Sequence, residues 1–64
     1  MINNVIRFSN DIVLVFDEKG EQMPKYQGRY KDVRAKILAH APRSTEFFHG
    51  KWTIANNAIP RKDW

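Results

Sequence analysis

Ile12-Val13-Leu14-Val15-Phe16 is the longest apolar run in the sequence. In a strand, successive side chains point to opposite faces of the sheet. An unbroken apolar run therefore needs cover on both faces, as a central strand has. Cover is scarce in a chain of 64 residues. Near this size folding hides only about 60% of the surface that the unfolded chain exposes. The chain has no cysteine, which excludes a disulfide framework, a thiolate zinc site and a cysteine nucleophile. Stability must come from its own apolar groups, among them two Trp, two Tyr and four Phe, or from a partner. One domain spanning residues 1–64 is expected.

Around this run the first part of the chain reads as strands. Val5-Ile6-Arg7-Phe8 is β-branched and aromatic, and Ser9-Asn10-Asp11 is turn chemistry. Asp17-Glu18-Lys19-Gly20 reads as a hairpin turn, with a return strand through Glu21-Gln22-Met23 that Pro24 ends. A helix is expected from about Tyr26 or Gly28 to His40. Its apolar positions Tyr30, Val33, Ile37, Leu38 and Ala41 fill one arc of the wheel, and Pro42 closes it. No Ser, Thr or Asn stands at its start to cap it.

Beyond the helix, Thr45-Glu46-Phe47-Phe48 and Lys51-Trp52-Thr53-Ile54 read as two strands joined by a His49-Gly50 turn. Asn56-Asn57 breaks the pattern, and the tail from Ala58 to Trp64 is too short and Pro-interrupted for a further element. The expected fold is α+β in the order β-β-β-α-β-β. An antiparallel sheet of three to five short strands carries one amphipathic helix on one face. Ile59 and Trp64 are then candidates to cover the other face, and a second copy of the chain is the alternative cover.

Charge divides the sequence. Eleven Lys and Arg against seven Asp and Glu give a net +4. Residues 1–23 hold Arg7 and Lys19 against Asp11, Asp17, Glu18 and Glu21, a net −2, so residues 24–64 hold +6. Much of that excess lies on and around the helix, as Lys25, Arg29, Lys31, Arg34, Lys36 and Arg43 against Asp32. With 3.6 residues per turn, Arg29, Lys36 and His40 fall within about 40° of one another and form a ridge beside the buried stripe. Arg34 falls inside the apolar arc. It either snorkels past the core edge, pairs with a buried carboxylate, or marks where the arc meets a partner.

Chemistry beyond binding finds little support. His40 and His49 have no ligand spacing around them, and the Asp17 to Gly20 turn lacks the repeated oxygen ligands of a calcium loop. Ser44, His40 and Asp32 can be assembled into a trio only on paper, since a triad is defined by geometry. A single helix on a small sheet also leaves little room for a pocket of about 300 Å³ or more. No metal, cofactor or catalytic residue is expected, and the chain reads as a non-enzymatic protein.

The binding surface expected from these residues comprises Lys25, Tyr26, Arg29, Arg34, Lys36, His40, Arg43 and Trp52, cationic groups with aromatic anchors. Its expected partner is a protein with an acidic surface. The alternative is sequence-independent nucleic-acid binding, with the cations on phosphates and Tyr26, Phe47 or Trp52 stacking on bases. No recognised nucleic-acid motif sharpens that alternative, and Lys and Arg also serve simply to keep small proteins soluble. In size, charge and lack of cysteine the chain resembles the accessory proteins common in phages and mobile elements. Many of those bind and block a host protein. The start of the chain lacks a signal-peptide pattern, and no apolar run approaches the roughly 20 residues of a membrane-spanning helix. A cytoplasmic location without membrane association is expected.

Overall fold

The computed structural model describes residues 1–50 and 57–64. Strand β1 (Ile2–Phe8) turns back into β2 (Ile12–Asp17), and a short 3-10 turn (Pro24–Tyr26) leads to the two-residue β3 (Gly28–Arg29). Helix α1 (Tyr30–His40) follows, then β4 (Glu46–Gly50), β5 (Asn57–Ile59) and a second 3-10 turn (Arg61–Asp63). The sheet order is β3-β2-β1-β4-β5. The α+β class and the single helix on a sheet are as the sequence suggests.

The pairing is mixed rather than wholly antiparallel. β1 runs antiparallel to β2 but parallel to β4, with Val5 opposite both Val15 and Phe47. The reason is the connection. α1 carries the chain from β3 across the sheet to the far side of β1, and a crossover of this kind returns a strand in the parallel sense. β1 thus becomes the central strand, and the two-sided run in β2 is flanked by β1 and the short β3.

Several local expectations change for identifiable reasons. The Glu21–Met23 return strand shrinks to one bridge, Phe16 to Gln22. Pro24 starts the 3-10 turn instead, and the Gln27 side chain serves the edge of β2, its Oε1 accepting from the Val15 N–H at 3.1 Å. α1 begins at Tyr30, later than expected, with Arg29 as an N-cap that makes no side-chain capping bond. The Tyr30 N–H donates to the Asp11 carbonyl at 2.8 Å, so the β1–β2 turn takes over part of the capping role. Asp11 can present that carbonyl because it adopts a left-handed φ of 66°, which Asp tolerates better than most residues. His49 and Gly50 continue β4 rather than turning, while the expected Lys51–Ile54 strand lies outside the described residues. Asn57 to Ile59, read as a break and a tail, pairs with β4 as an edge strand.

The core lies between α1 and one face of the sheet. Val5, Val13, Val15 and Phe47 face Val33 and Ile37 of the helix, with Ile2, Tyr26 and Trp64 completing the cluster. Ile6, Leu14, Phe16 and Phe48 are half-buried, and the pairing of Ile6 with Leu14 and Phe48 puts these three on the opposite face. The tail does not cover that face. Ile59 sits opposite Phe47, and Trp64, only 2% exposed, meets the Phe47 ring at 5.0 Å and the Tyr30 ring at 5.1 Å on the helix side. Arg61 secures this return, its guanidinium donating to the carbonyls of Ala41 and Pro42.

Burial of Trp64 makes the tail part of the core. Trp64→Ala is expected to cost about 3–5 kcal/mol in urea unfolding. That is comparable to the whole stability of a 64-residue domain, about 3–10 kcal/mol at ordinary values per residue.

The β2 turn carries a separate pH dependence. Backbone N–H groups of Glu21 and Lys19 each donate to Asp17 Oδ1 at 2.9 Å. The Glu21 bond, with help from Lys19, holds the Asp17 carboxyl below its usual range. A depressed carboxylate stabilises the fold above its unfolded pKa, and that contribution is lost as pH falls through the folded value. The stability difference between the wild type and Asp17→Asn is therefore expected to shrink between about pH 5 and pH 2. Urea midpoints measured across that range check it.

Candidate functional site

Tyr26 organises a compact cationic cluster where the first 3-10 turn meets the last turns of α1. Pro24 fixes the start of that turn, and the Tyr26 N–H closes on the Met23 carbonyl at 3.0 Å. The Tyr26 ring is then drawn into the core, leaving 7% exposed. Its hydroxyl lies 3.3 Å from His40 Nδ1, and the two rings meet edge to face at 5.8 Å. Two ammonium groups approach the same ring, Lys25 Nζ at 5.5 Å and Lys36 Nζ at 6.0 Å from its centroid. Lys36 Nζ also donates to the Lys25 carbonyl at 3.0 Å, which ties the helix to the turn. Lys36 and His40 stand one helical turn apart and so share a face.

The structure brings together four of the residues singled out from sequence, Lys25, Tyr26, Lys36 and His40. The others go elsewhere. Arg29 does not extend a ridge with Lys36 and His40, because it is extended backbone (φ −76°, ψ 138°) paired with Ile12, where helical-wheel angles do not apply. Arg34 is exposed and has no ion pair among the described residues. Its Nε donates to the Tyr30 hydroxyl at 2.8 Å, which explains a cation inside the apolar arc. Arg43 is exposed in the turn closed by the Thr45 N–H on the Pro42 carbonyl. Trp52 lies outside the described residues.

No ion pair among the described residues involves the cluster. Among the described residues the ion pairs are the Met1 amino group with Glu18 at 3.0 Å and Arg7 with Asp11 at 2.8 Å, both away from Tyr26. The π face of Tyr26 and the Lys25 carbonyl are what hold the two ammonium groups in place. Four positions that sequence reasoning did not single out as site residues prove decisive for geometry: Arg7, Tyr30, Arg61 and Trp64. Arg7 lies 3.5 Å over the Tyr30 ring. Its alternation with Val5 in β1 was the available signal, since it places Arg7 on the helix side.

An open groove of about 540 Å³ lies at the start of α1, lined by Asn10, Asp11, Ile12, Arg29, Tyr30 and Lys31. A one-helix domain therefore has more room than its size suggests. Asp11, a carboxylate of the groove's lining, is engaged by Arg7. Among the described residues no group of three His, Asp or Glu side chains gathers as a metal site, and no helix is long and apolar enough to cross a membrane. No family model matches the chain, and no curated protein or solved structure matches it.

If the Tyr26 ring is the organiser, its removal and the removal of its hydroxyl should differ. Tyr26→Phe is expected to cost about 0.5–1.5 kcal/mol, the worth of one hydrogen bond. Tyr26→Ala should cost several times more, as loss of a buried ring does. Equal urea midpoints for the two variants would contradict that role.

Proposed function

We propose that the protein is a non-enzymatic binding module that engages an acidic surface of a protein partner. Lys25, Lys36 and His40 form the contact and Tyr26 is its scaffold. The observation that carries this reading is two ammonium groups held around one buried tyrosine with no carboxylate paired to either among the described residues. A carboxylate from outside would gain two favourable charges without first breaking an internal ion pair.

The same burial argues against stacking as the mode of recognition. Base stacking on an aromatic side chain needs an open ring face, and Tyr26 offers almost none. An accessory or inhibitor protein that acts by occupying an acidic surface of its target fits these properties. The cytoplasm fits a chain without cysteine.

Fluorescence anisotropy with labelled poly-L-glutamate, single-stranded DNA and duplex DNA tests the reading at about 100 mM salt. Poly-glutamate is expected to bind, and the Lys25→Gln, Lys36→Gln double variant to weaken it by roughly 10- to 30-fold, two surface charges at about 1 kcal/mol each. Absence of poly-glutamate binding would overturn it. Tighter binding to either DNA, with the affinity falling steeply as salt rises, would establish nucleic-acid recognition instead.

A further inference from the structure

The sheet has a second face that α1 does not cover. Ile6, Leu14, Phe16 and Phe48 stand on it, each half-buried, and Ile6 pairs with both Leu14 and Phe48. The helix and Trp64 pack on the other face. Large apolar side chains gathered in this way mark an interaction surface. For a small core without disulfides, association is a common remedy.

Two charges decide what fits there. Among the described strand residues, the charged side chains on this face are Arg29 and Glu46. Arg29 pairs with Ile12 of β2 and Glu46 with Asn4 of β1, and alternation puts both on the side of Leu14 and Phe48. Both are exposed, and neither has an ion pair among the described residues. They stand at opposite corners of the patch. Arg29 is on edge strand β3, level with the Phe8 end of β1, whereas Glu46 is on β4 at the level of Asn4. Ile6 and Leu14 lie between them.

We infer that this face joins two copies of the chain in a symmetric dimer, with Arg29 of each copy against Glu46 of the other. A two-fold axis lying along the interface exchanges the two corners, so corners of opposite sign make the patch complementary to itself. The corners are about 14 Å apart across three strand spacings and about 13 Å apart along four residues of β1. An axis perpendicular to that diagonal runs at about 45° to the strands and passes between Ile6 and Leu14, the centre of the patch. The two sheets then cross at about 90°, one of the two arrangements in which sheets pack face to face. The molecule measures 25 × 23 × 22 Å. One face of that size suits an interface at the small end of the specific range, about 1,200 Å² in total. Apolar burial supplies the affinity and the rim charges set the register, since an exposed ion pair is worth little by itself. Lys36 and His40 belong to the helix side, so dimerisation leaves the Tyr26 cluster of both copies uncovered.

Sedimentation equilibrium at about 5 to 500 μM tests this, the range in which so small an interface is half-formed. The wild type is expected to pass from monomer to dimer across it. Arg29→Glu alone and Glu46→Arg alone each set like charges together at both ends of the dimer, and should weaken it roughly tenfold. The double variant Arg29→Glu, Glu46→Arg restores both pairs and should recover the wild-type constant. Urea midpoints of the three variants check that the fold is retained. Dilution of the wild type, followed by amide NMR, needs no substitution: signals of β1, β2 and β4 should shift while those of the last turn of α1 stay in place. A monomer at every concentration overturns the inference. A dimer indifferent to the single reversals, or dilution shifts centred on α1, overturns it equally.

Discussion

The ring of Tyr30 is the point at which three otherwise separate parts of the chain are made to agree. Its backbone N–H takes the Asp11 carbonyl of the β1–β2 turn, and its face lies under the Arg7 guanidinium from β1. Its hydroxyl donates to the main-chain oxygen of Trp64 and accepts from Arg34, while its ring packs edge to face on the Trp64 indole. Arg7 in turn holds Asp11, which closes the circuit. Each contact is worth about 1 kcal/mol by itself. Together they set where the helix starts, and the start of a helix determines which of its faces meets the sheet.

That placement has consequences at the other end of α1. With Tyr30 pinned, Val33 and Ile37 turn toward Val5, Val13 and Val15, and the 3.6-residue period brings Lys36 and His40 round to the 3-10 turn at Pro24–Tyr26. Arg61 fixes the opposite terminus by holding Ala41 and Pro42. The cationic cluster is thus a product of the fold's clamps, because neither of its lysines has an ion-pair partner among the described residues. Trp64 shows how tightly the tail is drawn into this arrangement. Among the described residues its buried indole N–H has no hydrogen-bond partner, a cost set against the contacts of the ring.

The elements that local chemistry determines were legible in the sequence. The β2 run, the turn at Ser9–Asp11 and the apolar stripe of α1 follow from alternation, turn residues and helical periodicity. Lys25, Tyr26, Lys36 and His40 were legible as a cationic, aromatic set. What could not be read were features settled by contacts distant in sequence. The parallel pairing of β1 with β4 depends on where the crossover lands, and β5 is a strand because Phe47 and Phe48 offer it a ladder. Arg29 was misplaced because wheel geometry assumes a helix that, without a capping side chain, begins one residue later. Trp64 carried too little local pattern to reveal that it packs on the helix side.

The clamps also bear on whether the lysines merely keep the protein soluble. A solubilising lysine gains most by staying mobile, since holding its side chain still forfeits up to about 2 kcal/mol of rotamer entropy. Lys36 is held instead, by the Lys25 carbonyl and the Tyr26 ring. Part of the ordering that a partner would otherwise impose has been met during folding, and prior ordering of this kind raises affinity without adding a contact. A held ammonium group is what separates Lys36 from a freely solvated lysine.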